Sequence, residues 1–276
     1  MKKRSCLNCG KDCGIWLYCS KSCKTSYRPN MKMSTGTHSN LRSCSKVNIS
    51  IDTHTNVRNR RASHFRMLDL FCGEGLAGWG YWLSGRFSEI VGVDMNPKMA
   101  DRYAFDFIQG DALKLDYEFL SQFDFIHASP PCQAYSKATP NTARKNHVRL
   151  IAASHLMLVA SGKPYVIENV EGSSKDLRPN IVLNGHTLGL KIDRRRYFHA
   201  SILEQPIRKI MRSSHVSHKV HNSMNRTSVI EAMGLRVINP NALRKMTVDG
   251  MLQGVPPAMT TFISSGLFAH KVMIGA

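Results

Sequence analysis

Between residues 66 and 169 short apolar runs recur, and the gaps between them hold either a turn or a helix-like segment. Arg66–Phe71, Glu89–Asp94, Phe105–Gln109, Phe123–Ala128 and Tyr165–Asn169 read as strands, while Leu76–Ser84 and His147–Ser161 read as helices. This alternation predicts an α/β fold with a parallel sheet, whose ligands sit beyond the carboxyl ends of the strands. The run at Phe123–Ala128 stops at Ser129-Pro130-Pro131-Cys132-Gln133. Two successive prolines cannot continue a strand ladder, and they stiffen the loop that follows. Cys132 is therefore expected as a thiol held on a rigid loop, a setting that suits covalent catalysis better than packing.

Composition divides the chain around this middle. Its 276 residues allow one full enzyme domain plus a small module, and a hydrophobic content of 42% is enough for a core. The net charge is +19. Residues 1–66 carry 14 Lys/Arg against 2 Asp, residues 67–198 carry 15 against 14 acids, and residues 199–276 carry 9 against 3. The excess lies at the two ends, which points to a polyanionic partner, DNA or RNA. No run approaches the ~18 to 20 apolar residues of a membrane span, so no membrane partner is expected. The basic start Met1–Cys6 has no apolar signal core behind it, so a cytoplasmic location is expected. There the 8 cysteines would be reduced, which favours metal binding or catalysis over disulfides.

Residues 1–28 are cysteine-rich and read as one module, and residues 29–63, rich in Ser, Thr, Asn and Arg, as a flexible basic linker. Residues 64–276 form the main domain. Cys6-x2-Cys9 and Cys19-x3-Cys23 are spaced to set four thiolates around a tetrahedral Zn²⁺, in a treble-clef-like finger that could hardly fold without metal. Cys13 is a fifth cysteine in the same stretch. From about residue 199 to 239 the pattern is weak and polar. His215, His218 and His221 within it are read as polar, DNA-facing groups more readily than as metal ligands.

The first strand ends in Asp69-Leu70-Phe71-Cys72-Gly73-Glu74-Gly75. Glycines at such a turn let backbone N–H groups come close to a ligand at a helix N-terminus. Asp94, about 20 residues further on at the end of the second strand, is placed to accept from ribose hydroxyls, and Asp111 after the third strand to meet an adenine amino group. Together they point to an adenosine-containing cofactor.

Asp69–Gly75, Pro130-Pro131-Cys132-Gln133 with Ser136, Glu168-Asn169-Val170 and Arg194-x-Arg196 stand in the order and spacing of the DNA (cytosine-5) methyltransferases, and Gln253-Gly254-Val255-Pro256-Pro257 looks like that family's closing motif. The chain resembles the small phage-encoded members from about Arg66 to Leu267, with an added zinc module. Leu76 replaces the family's second glycine, Ile192 replaces the Gln before Arg-x-Arg, and the closing motif lacks its Asn.

The resemblance implies a Rossmann-like, S-adenosylmethionine-dependent sheet with a small target-recognition region at about 199–239. It implies S-adenosyl-L-methionine held by Asp69, Phe71, Gly73 and Gly75, with Asp94, Met95, Asp111 and Pro130 completing the site. Catalysis would fall to Cys132, Glu168, Arg194 and Arg196. Gln133, Ser136 and Asn169 would touch the substrate. The partner would be double-stranded DNA, met by a monomer that flips the target base out of the helix. A thiolate adding at C6 of cytosine makes C5 nucleophilic, an acid at Glu168 would protonate N3, and the arginines would hold the base carbonyl and lower the Cys132 pKa. An RNA cytosine-C5 methyltransferase and a catalytically degenerate DNA-binding regulator are the competing readings.

Overall fold

The computed structural model describes residues 65–203, 207–209, 218–219 and 224–267. The cysteines Cys6, Cys9, Cys19 and Cys23, the linker at 29–63, and His215 and His221 lie outside the described residues. The main domain is built on an eight-stranded sheet. Its strands are β1 (Phe65–Leu70), β2 (Phe87–Asp94), β3 (Asp106–Gln109), β4 (Phe125–Ala128), β5 (Tyr165–Asn169), β6 (Ile181–Asn184), β8 (Arg195–Ala200) and β9 (Ile207–Lys209). The two-residue strands β7 (Ile192–Asp193) and β10 (His218–Lys219) pair separately.

The sheet order is β3-β2-β1-β4-β5-β8-β6-β9, and all its pairings are parallel except those of β8. The chain steps outward from β1 through β2 to β3, then returns to start again at β4 on the other side of β1. A crevice opens at that reversal, above the carboxyl ends of β1 and β4. The five strands expected from sequence are all present, with ends moved by up to two residues. Residues of β4 and β5 are buried throughout, as central parallel strands covered on both faces must be. The long helix expected at 147–161 starts later, at Ile151, because His147, Val148 and Arg149 stay exposed and Leu150 provides no side-chain cap.

Strand β8 is antiparallel to β5, with Glu168 opposite Phe198 and Asn169 opposite Tyr197. The amino end of β8 therefore lies beside the carboxyl end of β5. That reversal carries Arg194 and Arg196 to the same edge of the sheet as the Cys132 loop.

Two apolar clusters hold the domain together. One lies around Met67, Tyr81, Phe87, Phe125, Val166, Phe198 and Met259. The other joins Leu76 and Trp79 to Val229, Met233, Leu235, Met246 and Met251. The stretch that looked patternless thus includes a helix, Arg226–Ala232, that packs in the second cluster. Its buried residues are only Val229 and Ala232, with Met233 at the C-cap, too few for a period to show among polar neighbours. Among the described residues no helix is long and apolar enough to cross a membrane.

The helix Leu76–Leu83 docks on the helix Pro257–Leu267 through hydroxyls. Thr260 Oγ1 donates to Ala77 O at 2.9 Å, and Thr261 Oγ1 donates to Gly80 O at 2.8 Å. Gly80 permits this approach. A Cβ there would stand 1.9 Å from Thr260 Oγ1 and 2.2 Å from the Pro257 carbonyl. Backbone cannot swing aside, so Gly80→Ala is expected to cost about 1–3 kcal/mol. Thermal denaturation should show a fall in Tm of several degrees, and an unchanged Tm would refute the contact.

Candidate active site

A cleft of about 490 Å³ lies at the strand reversal. One half is made by the loop after β1. Phe71, Gly73 and Gly75 all have positive φ, at 56°, 51° and 89°. For Phe71 this is an unusual backbone state for a residue with a side chain, held by the turns on either side. Gly75 also needs its missing Cβ, which would meet the Tyr103 ring at 2.9 Å. At Gly73 a Cβ would meet nothing within 4 Å, so a ligand can come up against the backbone there.

Asp94 ties this loop to β2. Its Oδ2 accepts from Gly73 N at 3.0 Å and its Oδ1 from Asn96 N at 2.9 Å. Each oxygen keeps a lone pair for a further donor such as a ribose hydroxyl. Asp111 lines the same cleft, with Oδ1 accepting from Leu113 N. Met95 stands exposed at its rim. Asp69 is fully buried, and its Oδ2 accepts from Tyr103 Oη at 3.0 Å while its Oδ1 has no partner. Burial pushes its pKa up to about 8, with Asp94 adding to the rise and Tyr103 opposing it. The orphaned oxygen, the open backbone at Gly73 and the free lone pairs of Asp94 fit an adenosyl cofactor.

Two residues that sequence reading passed over close this half. Glu74 is buried; it pairs with Arg102 at 3.0 Å and accepts from Thr247 N at 2.7 Å and Thr247 Oγ1 at 2.8 Å. It thereby fastens the glycine loop to the segment Thr247–Gly250. Gly250 is required at the joint, since a Cβ there would stand 2.1 Å from the Glu74 carboxyl. The signal was present in the sequence: an acid between two ligand-facing glycines is out of place unless something pairs with it.

The other half is built on the proline loop. Ser129 N donates to Leu70 O at 3.1 Å, and Tyr135 N and Ser136 N both donate to Cys132 O, at 2.9 and 2.8 Å. The chain therefore turns tightly after Cys132, leaving the thiol half-buried at the cleft. Gln133 lines the cleft, and its Oε1 is buried without a partner. Pro130 lines it too, and its carbonyl accepts from Asn169 Nδ2 at 2.8 Å. Asn169 Oδ1 accepts from Val170 N at 2.9 Å. Asn169, expected at the substrate, is thus placed as a staple between β5 and the loop. Ser136, also expected at the substrate, has its hydroxyl accepting from Ala138 N at 3.2 Å within its own turn.

Glu168 is buried at the end of β5, with Arg196 Nε 2.9 Å from its Oε1. Burial raises its pKa, and Arg196, Arg194 and Ser129 together only partly offset this. Burial likewise raises the Cys132 pKa, reinforced by the Glu168 charge, with Arg196 and Arg194 opposing. The arginines pull the thiol pKa down as expected, but the expectation of a net lowered thiol pKa is corrected. Their pull is present, but desolvation outweighs it in the free protein.

The two arginines do different things. Arg196 faces Glu168 in the cleft. Arg194 is buried, and its Nη2 donates to Gln253 O at 3.1 Å and Gly254 O at 2.9 Å. It anchors the closing segment. Ile192, where the resemblance expects Gln, is buried in the second apolar cluster.

Glu74→Ala removes the acceptor of the Thr247 amide and of Arg102. A loss of about 1–3 kcal/mol in holding the closing segment is expected. Calorimetric titration with S-adenosylmethionine should show affinity at least about tenfold weaker. Arg102→Ala, losing only the more exposed partner, should weaken it less.

Residues 65–184 match the family model of the C-5 cytosine-specific DNA methylases. No curated protein matches the chain. The matched span takes in the glycine loop, Asp94, Asp111, the Cys132 loop and Glu168, and ends before Arg194 and Arg196. With the mostly parallel α/β sheet, the match supports placing this domain among the C-5 cytosine methylases, and so reading it as a methyltransferase.

Proposed function

We propose that the domain transfers a methyl group from S-adenosyl-L-methionine to C5 of a cytosine flipped out of DNA, through a covalent bond between Cys132 Sγ and C6. The observation that carries this reading is that the half-buried Cys132 thiol and the buried, raised-pKa carboxyl of Glu168 line one cleft, whose other half is a glycine cradle. When bound, the cofactor supplies the activated methyl group. Asp69, Phe71, Gly73, Gly75, Asp94, Met95, Asp111 and Pro130 would hold it.

Cys132 attacks C6 as the thiolate, and the electron pair displaced from the C5–C6 bond is taken up as N3 receives a proton from Glu168. C5, now nucleophilic, takes the methyl group. Loss of the C5 proton to water restores the C5–C6 double bond as the Cys132–C6 bond breaks, and N3 returns its proton to Glu168. Arg196 holds Glu168 in place and offers donors to the base carbonyl, while Arg194 acts at the closing segment. Gln133, whose Oε1 is orphaned, would accept from the substrate.

The proton inventory predicts the pH profile. Burial raises the pKa of both the Cys132 thiol and the Glu168 carboxyl, and between their two midpoints the pair holds one proton. The active pair, thiolate with protonated Glu168, holds the same number of protons. The rate should therefore be level between the two midpoints. Below the Glu168 pKa an extra proton suppresses the thiolate, and above the Cys132 pKa the acid is lost. A kcat/KM with no level stretch between an acid limb and an alkaline limb would overturn this assignment.

DNA containing 5-fluorocytosine, incubated with S-adenosylmethionine, should give a denaturation-resistant adduct at Cys132. Cys132→Ala should abolish it, and Glu168→Gln should slow turnover by about 10²–10⁴-fold. Absence of any adduct with the wild-type protein would count against the reading.

We further read Cys6, Cys9, Cys19 and Cys23 as the ligands of one structural Zn²⁺, on their spacing and basic setting. Metal analysis of the full chain should return about one zinc per molecule, lost on Cys6→Ser with Cys19→Ser.

A further inference from the structure

His127 is a lone imidazole in the fully buried strand β4, and nothing in the proposed chemistry uses it. Its Nδ1 lies 3.0 Å from Tyr81 Oη, in the helix behind the sheet. Its Nε2 lies 2.8 Å from Ser129 Oγ, the last residue before the proline pair. Ser129 and Glu168 both line the cleft, where the Ser129 hydroxyl acts to lower the Glu168 pKa. A continuous path runs from the apolar core to the carboxyl: Tyr81, His127, Ser129, Glu168.

With Glu168 ionised, proton placement along this path has one consistent solution. Burial lowers the His127 pKa to about 3, so the ring is neutral and carries a single N–H. Burial raises the Tyr81 pKa well above its usual value, so its hydroxyl keeps its proton. An ionised Glu168 can only accept, so Ser129 must donate to it. Ser129 Oγ then accepts from His127 Nε2–H, which leaves Nδ1 as the acceptor for Tyr81 O–H. Every donor points towards Glu168.

We propose that Tyr81, His127 and Ser129 form a one-way hydrogen-bond relay that positions the Glu168 carboxyl and sets its proton affinity. These are positioning residues. Ser129 reaches Glu168 directly, and Tyr81 keeps His127 in the Nε2–H tautomer. Without the Tyr81 hydroxyl the ring is free to place its proton on Nδ1. Nε2 would then compete with Glu168 for the Ser129 proton. The other ionisable groups facing this path are Asp69 on β1, in register with His127, and Tyr103, which donates to Asp69. Around Glu168 they are Cys132, Arg194 and Arg196.

The meaning of the relay for methyl transfer rests on the reading of Glu168 as the acid at N3, but its existence does not, so it is tested on the full chain without substrate. The chain has seven glutamates, few enough to resolve by ¹³C NMR with carboxyl labelling, and Glu168→Gln identifies the signal. Ser129→Ala, a mild change at a half-buried site, should raise the Glu168 midpoint by roughly one unit. Tyr81→Phe should raise it in the same direction by less. ¹⁵N NMR of His127, assigned with His127→Gln, should show the Nε2–H tautomer in the wild type. A midpoint unchanged in folded Ser129→Ala, or an Nδ1–H tautomer in the wild type, would overturn the relay. If the midpoint moves as expected while the wild-type protein methylates no cytosine, the relay stands and the proposed reaction falls.

Discussion

Glu168 and Arg196 lie side by side out of water, 2.9 Å apart, and most of the site depends on that placement. A buried ion pair is weak as a source of stability, because desolvating both charges offsets most of their attraction. Removing either partner strands the other, so the pair demands that two strands meet in one register. Antiparallel pairing of β8 with β5 meets that demand, with Asn169 opposite Tyr197 and Arg196 just beyond. Through Glu168 the pair bears on Cys132, whose thiol feels a raising influence from the carboxylate and a lowering one from the guanidinium.

The cleft is closed by contacts far apart in sequence. Glu74 reaches Thr247, and Arg194 reaches the carbonyls of Gln253 and Gly254. Leu76 and Gly254 are matched at the same joint. A Cβ at Gly254 would stand 2.6 Å from Leu76 Cδ1, so the leucine is accommodated by the glycine across from it.

The legible parts of the fold were those with strong local signals. The apolar runs of β1 to β5, the glycine turn and the double proline each announce themselves within a few residues. Strands β6, β8 and β9 did not. β8 alternates, with Arg196, Phe198 and Ala200 turned inward, and its charged start reads as a surface segment until it is known to face a carboxylate. The helix at Arg226–Ala232 was hidden for the opposite reason, since only two of its residues, Val229 and Ala232, are buried.

The sequence by itself determined the parallel α/β layout, the cofactor-type loop and the identity of the candidate nucleophile and acid, because each rests on residue chemistry at fixed short spacing. Only the tertiary structure decided how those groups behave. It separated Arg196 at the carboxyl from Arg194 at the closing segment, and it turned Asn169 from the substrate to the Pro130 carbonyl. It also showed the Cys132 pKa raised where neighbouring arginines alone would have lowered it. Burial, hydrogen-bond partners and register are properties of the packed chain, since each depends on residues that meet only when distant strands and helices come together.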